Sequence, residues 1–382
     1  MKIFELFGPG KVVYGEGAIL RTGEIACKYG KKALIVTGRY SAKKSGVLDK
    51  LIENLSEAGV ESVWFNDLES DPVVQNVEEG VVTARAEEID LIIALGGGSA
   101  IDTAKSIGVM LKNTGKLQDY EFEAPQNKGI PLIAIPTTAG TGSEATKGAV
   151  ITDEERKIKM CIASSDMIPD VAILDPELTL NLPHDITCAT GMDALTHAIE
   201  TYIASVATPM AKFLAMEGIR LIAENFVRVM DDGQDLEARG NMLLGQFFAG
   251  WAISNSATAL VHAMSRPLGV YFHVPHGQAN AILLARVMRF NKESILNELV
   301  EMAPCFSVEV IGREENDIAE EVINAIADIY DHTGLPKKLS EVGVERKLLP
   351  TLAHDAFVNR SNRINPRVAT EEEILEMYYE LF

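Results

Sequence analysis

The chain has 382 residues, and 47% of them are hydrophobic, which is enough for the cores of two or three domains. Its 35 basic and 55 acidic residues give a net charge of −20, which argues against nucleic acid and anionic membrane surfaces as partners. An acidic excess of this size fits either an ordinary cytosolic enzyme or a halophilic protein whose carboxylates stay hydrated in high salt.

The cysteines and the amino terminus indicate the compartment. Cys27, Cys161, Cys188 and Cys305 show no paired spacing, so we expect them to be reduced and buried. The first ten residues lack the apolar run of a signal peptide and include Glu5, and no later run approaches the length of a transmembrane helix. We therefore expect a soluble, cytoplasmic protein.

The first half of the chain alternates between strand and helix patterns. Short strand-like pieces surround Gly8-Pro9-Gly10 and Gly15-Glu16-Gly17 within residues 1–30. The elements predicted after them are strand Lys32–Thr37, helix 43–58, strand Glu61–Phe65, helix Val74–Ala86, strand Asp90–Leu95, helix Ile101–Lys112 and strand Pro131–Ile135. This order predicts a doubly wound, Rossmann-like parallel sheet that binds ligands at the carboxyl ends of its strands.

The pattern changes after Pro183. From Asp185 to Phe382 strand signals nearly vanish and long helical periodicity takes over. We place the boundary near Leu182-Pro183-His184, which gives a nucleotide-binding α/β domain at 1–183 and an all-α metal-binding and substrate domain at 184–382. The substrate is then expected in the cleft between the two domains.

A glycine-rich loop joins the third predicted strand to its helix. Gly96, Gly97 and Gly98 let backbone amides approach an anion, and the helix that follows favours a phosphate at its amino terminus. Ser99 with Asp102 also matches an N-capping pattern. The loop therefore predicts a diphosphate site; the alternative is a tight βα turn with a capped helix. It is not the spaced Gly-x-Gly-x-x-Gly fingerprint.

A second loop follows the fourth predicted strand. Thr137, Thr138, Thr141 and Ser143 supply four hydroxyls that suit hydrogen bonds to a ribose, a phosphate or a nicotinamide amide. Such a turn is common by itself. Its place after a parallel strand makes it a second wall of the same pocket.

The second half of the chain holds a candidate metal site. Asp193 and His197 are four residues apart in an apolar segment that reads as a buried helix, so they share one face. A buried carboxylate needs neutralisation, and a divalent metal held also by His262 and His276 would provide it. Three imidazoles and one carboxylate suit iron, zinc, manganese or cobalt. The alternative is a hydrogen-bonded Asp–His pair without metal.

Taken together, these segments resemble the iron-containing (group III) alcohol dehydrogenases over nearly the whole chain. The matching pieces are Gly96–Ser99, Pro136–Glu144, Gly191–Glu200, the His262 segment and Pro275–Gly277. The resemblance implies a dehydroquinate synthase-like architecture, a homodimer and a divalent metal, Fe(II) first and Zn or Mn as alternatives. The ligands that it implies are Asp193, His197, His262 and His276. The nucleotide-binding positions that it implies are Gly97, Gly98, Ser99, Thr137, Thr138, Thr141, Ser143, Lys159 and Leu178. The predicted nucleotide-binding set also includes Gly38, Arg39, Ser41, Asp71 and Asp102.

One departure from the family concerns the nucleotide. Many members have an acidic residue just after the strand that ends at Thr37, where it holds the adenosine ribose and repels a 2′-phosphate. This chain has Gly38-Arg39-Tyr40-Ser41 instead. Losing a negative charge and gaining an arginine favours NADP over NAD. The alternative is that Arg39 is a solvated loop residue.

A second departure concerns the proton relay. Many relatives have a histidine where Arg266 stands, and arginine is a poor general base because it stays charged. The relay then runs elsewhere, through His273 or water, and Arg266 is free to bind a carboxylate or phosphate of substrate or cofactor. The candidate catalytic residues are His276, His273 and Arg266.

The function that these features predict is a reversible, metal-dependent interconversion of a primary or secondary alcohol and its aldehyde or ketone, with hydride transfer to NAD(P). Glycerol dehydrogenase-like polyol oxidation and a dehydroquinate synthase-like sugar-phosphate cyclase are the alternatives among enzymes. The cyclase needs several cationic residues near the metal, and the metal segments offer only Arg266. A nucleotide-binding sensor is the non-enzyme alternative, which the full ligand quartet argues against.

Overall fold

Residues 3–68, 71–156 and 158–382 are described by a computed structural model. They divide into two compact units, one of Phe7–Asn181 and the other of Leu182–Phe382 with residues 3–6. The predicted fold class is confirmed, because the first unit is built on a parallel sheet and the second is helical.

A six-stranded sheet organises the first unit. All its paired neighbours are parallel, in the order β1–β8–β5–β4–β2–β3, and β6 and β7 form a separate antiparallel pair. The strands are β1 (Lys11–Tyr14), β2 (Lys32–Thr37), β3 (Glu61–Phe65), β4 (Leu91–Gly96), β5 (Leu132–Pro136), β6 (Gly148–Asp153), β7 (Ile158–Ala163) and β8 (Val171–Leu174). The helices are α1 (Thr22–Ala26), α2 (Ser41–Lys44), α3 (Val47–Glu57), α4 (Val74–Ala86) and α5 (Gly98–Met110).

Both faces of the sheet are buried, which explains why its central strands are continuous apolar runs. Along β2, Leu34 and Val36 belong to one hydrophobic cluster, which includes residues of α4 and α5. Ala33 and Ile35 point the other way, into a cluster with residues of α3. The alternation of side chains along a strand thus gives the unit a core on each side of the sheet.

The strand register aligns three loops at one edge of the sheet. Thr37 is opposite Leu95, and Gly96 is opposite Pro136. Since these strands are parallel, the segments that begin at Gly38, Gly97 and Thr137 leave the sheet side by side. This is the edge where the sequence places the nucleotide.

Most predicted elements of this unit are confirmed to within a few residues, with three exceptions. The predicted helix 43–58 is two helices, which are separated at Gly46, where φ is +76°. The strand-like pieces predicted around Gly8 and Gly15 are confirmed in part, because one strand, β1, lies between the two glycine motifs; Met1 and Lys2 lie outside the described residues. Strands β6, β7 and β8 were not predicted.

The second unit bears out the helical periodicity after Pro183. Residues 182–382 are all described and contain no strand. The helices are α6 (His184–Ile203), α7 (Pro209–Asp231), α8 (Leu236–Ser254), α9 (Leu260–Phe272), α10 (His276–Asn291), α11 (Leu296–Met302), α12 (Glu315–His332), α13 (Leu349–Val358), α14 (Arg360–Ile364) and α15 (Glu371–Glu380).

Two findings bear on the expectations about cysteines and membranes. All four cysteines are in the thiol form, as expected, but Cys27 and Cys161 are exposed, so the expectation that all are buried is wrong for these two. Both side chains face the surface, outside the two hydrophobic clusters. Among the described residues, no helix combines the length and apolarity needed to cross a bilayer.

Candidate metal centre and nucleotide loops

Three helices of the second unit bring the predicted quartet together. Asp193 and His197 lie on α6, His262 on α9, and His276 is the first residue of α10. One potential ligand atom from each of the four lies within 4.8 Å of those from the others. Residues from three helices that are far apart in the chain therefore converge on one point.

Asp193 is the centre of this group. Its Oδ1 atom lies 3.6, 3.8 and 4.0 Å from Nε2 of His276, His197 and His262, respectively. These separations are too long for hydrogen bonds. Ligands that bond to one metal ion at about 2.0–2.2 Å are themselves roughly 3–4 Å apart, so the spacing suits a shared cation.

The electrostatics of the group also fit a cation. Burial lowers the pKa of His262 well below its usual value, and the charges of His197 and Arg266 lower it further, so this imidazole stays neutral. A neutral imidazole does not balance the buried carboxylate of Asp193, which is 3% exposed. A divalent ion would accept the lone pairs of the imidazole nitrogens and would also neutralise the charge of Asp193.

Glu200 fixes the orientation of His262, and the sequence predictions missed this role. Glu200 is fully buried, and its carboxylate lies 2.6 Å from Nδ1 of His262. It also accepts hydrogen bonds from the backbone N–H groups of Ala259 and Val261, at 2.8 and 2.5 Å. The Nδ1–H of His262 then donates to Glu200, which leaves Nε2 to face Asp193.

A periodic signal for Glu200 exists in the sequence. Asp193, His197 and Glu200 are spaced four and three residues apart, so they share one face of α6. Burial raises the pKa of Glu200 to about 7, and the two backbone donors act in the opposite direction. An acidic residue in an otherwise apolar stretch of helix is the pattern that points to it.

Asn280 is a second residue that the sequence predictions missed. Its Nδ2 atom donates to Asp193 Oδ1 at 2.7 Å and lies 3.3 Å from Nε2 of both His262 and His276. Its own Oδ1 atom is buried without a hydrogen-bond partner in the described part of the chain. Asn280 is one turn after His276 on α10, so it lies at the middle of the same group.

Gly277 allows α10 to approach α6. A Cβ atom at this position would lie 2.1 Å from the carbonyl oxygen of Ala189 and 3.3 Å from Cβ of Asp193. No other residue fits that space without moving a backbone. Because Gly277 has no side chain, α10 can lie close to α6, and His276 is thereby placed beside Asp193.

The two nucleotide loops of the first unit lie against each other, as predicted. The backbone N–H of Thr137 donates to the carbonyl of Gly96 at 3.0 Å. A Cβ on Gly98 would lie 2.7 Å from the Thr141 side chain, and one on Gly97 would lie 3.2 Å from the Thr138 hydroxyl. The glycines therefore make room for the threonine loop as well as for a ligand.

The capping pattern of Ser99 and Asp102 is wrong. The helix begins at Gly98, and its N-cap is Gly97 without a side-chain cap. Ser99 is therefore inside the first turn. The Asp102 carboxylate accepts a hydrogen bond from the backbone N–H of Val150 at 2.9 Å and another from the Ser143 hydroxyl. The side chains of Asp102 and Ser143 are both buried in the interior.

Lys105 joins α5 to the chain beyond the threonine loop. Lys105 is 2% exposed, and its ammonium group donates to the carbonyls of Thr146 and Gly148, at 2.7 and 2.8 Å, and to the Thr146 hydroxyl. Burial lowers the pKa of Lys105 to about 8, which the charges of Asp102 and Glu144 partly offset. The buried ammonium group thus interacts with the charges of Asp102 and Glu144 and holds the backbone at Thr146 and Gly148.

The predicted positions after β2 are at the surface edge of the sheet. Gly38 is half-buried and has open space around its Cβ position. Arg39 is exposed, and its guanidinium pairs with Asp67 at 2.7 Å. Ser41 is exposed and begins α2.

The three remaining predicted nucleotide positions, Asp71, Lys159 and Leu178, lie later in the chain than Ser41. Lys159 on β7 pairs with Asp71 at 2.8 Å, so these two contact each other. Leu178 is half-buried and packs against the hydrophobic cluster on the α3 side of the sheet.

The predicted relay residues differ in position. His273 is exposed and forms the left-handed C-cap of α9, with φ of +56°. It is not a member of the quartet. Arg266 is half-buried on α9, one turn after His262.

Comparison with known proteins identifies the class. The model of the iron-containing alcohol dehydrogenases matches residues 9–176, and that of the C-terminal part of the Fe-containing alcohol dehydrogenase family matches residues 187–382. The chain is 38% identical to 1,3-propanediol dehydrogenase of Citrobacter freundii, with 100% of this chain and 99% of the relative covered. It is 37% identical to NAD-dependent methanol dehydrogenase of Bacillus methanolicus, with 97% and 98% covered.

A solved structure agrees with these relatives. The crystal structure of 1,3-propanediol oxidoreductase matches with a TM-score of 0.97 at 37% identity, over 100% of both chains. A parallel α/β unit with a glycine-rich loop and a helical unit with an Asp–His centre define a metal-dependent dehydrogenase that uses a nicotinamide nucleotide. The chain belongs to the iron-containing alcohol dehydrogenase family, which confirms the resemblance seen in the sequence. Its substrates are small alcohols and aldehydes.

The Lys105 contacts generate a stability prediction. We expect Lys105→Met to lower the free energy of unfolding by about 3 kcal/mol or more, because it leaves buried carboxylates without their cation. Lys50→Met on α3, at an exposed position, is the control and should change stability by less than about 0.5 kcal/mol. Urea unfolding measures both. Identical unfolding curves for Lys105→Met and the unmodified protein would contradict the role of Lys105.

The Glu200 contacts generate a second prediction. Glu200→Gln keeps the shape but places an amide N–H against backbone donors, so His262 loses its fixed orientation. We expect metal affinity to fall roughly 10- to 100-fold. Competition with a chelator measures it, and Glu298→Gln, at a half-buried ion pair with Lys212, is the control. Equal affinity in the two variants would show that Glu200 does not position the ligand.

Proposed function

We propose that this alcohol dehydrogenase holds one divalent cation, Fe(II), on Asp193, His197, His262 and His276, and that it prefers NADP to NAD. The observation that carries the proposal is the convergence of one buried carboxylate and three imidazoles within 4.8 Å. The protein then interconverts a primary or secondary alcohol and its aldehyde or ketone.

The donor set supports a first-row transition metal. Imidazole nitrogen suits iron, zinc and manganese, and a single carboxylate oxygen adds the charge that a divalent ion needs. When bound, such an ion supplies Lewis acidity to the oxygen of the substrate. His276, which is exposed while the other three ligands are buried, marks the side from which a substrate reaches the centre.

The residues around the quartet prepare it for this chemistry. Glu200 holds the tautomer of His262, and Asn280 donates to the Asp193 carboxylate. Both contacts hold ligand side chains in place, so these side chains would lose little orientational freedom on binding an ion. This preorganisation supports a catalytic centre rather than an accidental cluster.

The preference for NADP rests on the loop after β2. With Gly38, this chain lacks the acidic side chain that would repel a 2′-phosphate just after β2. There is open space at the Cβ position of Gly38. Arg39 is paired with Asp67, but the two side chains are 41% and 61% exposed. An exposed pair of this kind contributes about 0–1 kcal/mol, so a phosphate dianion competes well for the guanidinium.

The metal assignment has a direct test. We expect His262→Ala to lose both the bound metal and turnover, because it removes a buried ligand and leaves Glu200 without its partner. His354→Ala, at an exposed histidine near Glu371, should keep both. Elemental analysis and an alcohol oxidation assay measure them. Turnover by a metal-free His262→Ala enzyme would refute the assignment.

The cofactor assignment has a second test. We expect a higher kcat/KM with NADP than with NAD, and we expect Gly38→Asp to lower the NADP/NAD ratio by roughly 10- to 100-fold through charge repulsion. Ser56→Asp, near the far end of α3, adds the same charge at the opposite edge of the sheet and should leave the ratio unchanged. A clear preference of the unmodified enzyme for NAD would overturn the proposal.

A further inference from the structure

Arg266 is an unusual arginine in this acidic chain. Most arginines of the second unit pair with a carboxylate: Arg220, Arg228, Arg286 and Arg289 are examples. Arg266 is half-buried, and it forms no ion pair or hydrogen bond with any residue that the structure describes. A guanidinium that loses part of its hydration without a protein partner needs an anion from elsewhere.

The position of Arg266 connects it to the metal centre. It follows His262 by one turn on α9, so the two side chains are neighbours on one face of the helix. Arg266 therefore belongs to the surroundings of the centre and not to a remote surface.

The charges of the centre leave Arg266 uncompensated. Asp193 and Glu200 contribute two negative charges, and a divalent cation on the quartet would balance both. The carboxylate of Asp355, on α13, is hydrogen-bonded to Tyr271 of α9, and it makes no ion pair with Arg266 in the described part of the chain. One positive charge therefore remains next to the reaction centre, in a protein whose net charge is −20.

We propose that Arg266 binds an anionic group on the substrate, and that the preferred substrates are short aldehydes and alcohols that carry a carboxylate, sulfonate or phosphate. This rests on the proposed function, because a cation held by the quartet would supply the Lewis acidity that acts on the reacting oxygen. Neighbouring side chains one turn apart have Cβ atoms about 5–6 Å from each other, so one short molecule can reach both the centre and the guanidinium.

The chemistry of arginine supports binding rather than proton transfer. Its guanidinium stays protonated under all conditions of catalysis and presents a planar fork of donors that matches carboxylate and phosphate oxygens. An acidic protein repels anions at long range, so an anionic substrate needs a local positive charge to be retained. Arg266 is thus a residue that determines specificity.

The experiment compares two aldehydes of equal length, one ending in a carboxylate and the other in a methyl group. We expect the unmodified enzyme to favour the carboxylate by at least roughly 10-fold in kcat/KM. Arg266→Gln should lower this preference by roughly 10- to 100-fold, mainly through a higher KM for the carboxylate. Arg266→Lys should retain part of it, because it keeps the charge but not the fork.

A matched control and a binding measurement complete the test. Arg289→Gln, on α10, removes a guanidinium that pairs with Glu320 and should leave the preference unchanged. Calorimetry with the carboxylate-bearing alcohol and no nucleotide should give a dissociation constant that rises at least about 10-fold in Arg266→Gln. This readout does not depend on turnover.

Two outcomes would overturn the inference. One is an unmodified enzyme that shows no preference for the anionic aldehyde. The other is an Arg266→Gln enzyme whose KM for the nucleotide rises equally with both aldehydes, which would place the anion on the cofactor. In both cases the metal-dependent activity remains. Absence of metal and of turnover with any aldehyde would instead refute the proposed function.

Discussion

The buried carboxylate of Asp193 is the constraint on which the second unit depends. An unpaired charge in an apolar helix is costly in free energy, and groups from the surrounding elements offset that cost. Asn280 donates to it, three imidazole nitrogens lie within 4.0 Å of one of its oxygens, and Glu200 turns one of those imidazoles towards it. The packing of α6, α9 and α10 brings these groups together.

The sequence was sufficient to predict the parts of the fold that are buried on both faces. Strands β2 and β4 are continuous apolar runs between turn signals, and their bounds are nearly those predicted. Strand β1 lies at the sheet edge and is exposed at alternate residues, and β8, although fully apolar, is only four residues long, so both give a weak signal. The β6–β7 pair alternates in burial and lies between a threonine loop and charged residues, which hid its periodicity.

The candidate site shows the same division. The quartet could be predicted because histidine and aspartate are rare in apolar helices, although only the folded chain shows that Asp193 on α6 and His276 on α10 meet. The roles of Asp102 and Ser143 could not be predicted, because a polar residue in a loop gives no sign of whether it faces a ligand or the interior. In the structure these two are buried and bonded to each other.

The close approach of Gly277 to the backbone of Ala189 has a consequence for how the enzyme is assembled. Two of the four proposed ligands, Asp193 and His197, lie on α6, and His276 joins them only when α10 has docked against that helix. Metal binding is therefore coupled to the completion of tertiary structure. While α6 and α10 are apart, the newly synthesised chain has no complete metal site. The amount of ion bound by a preparation then reports how much of the helical unit has reached its native packing.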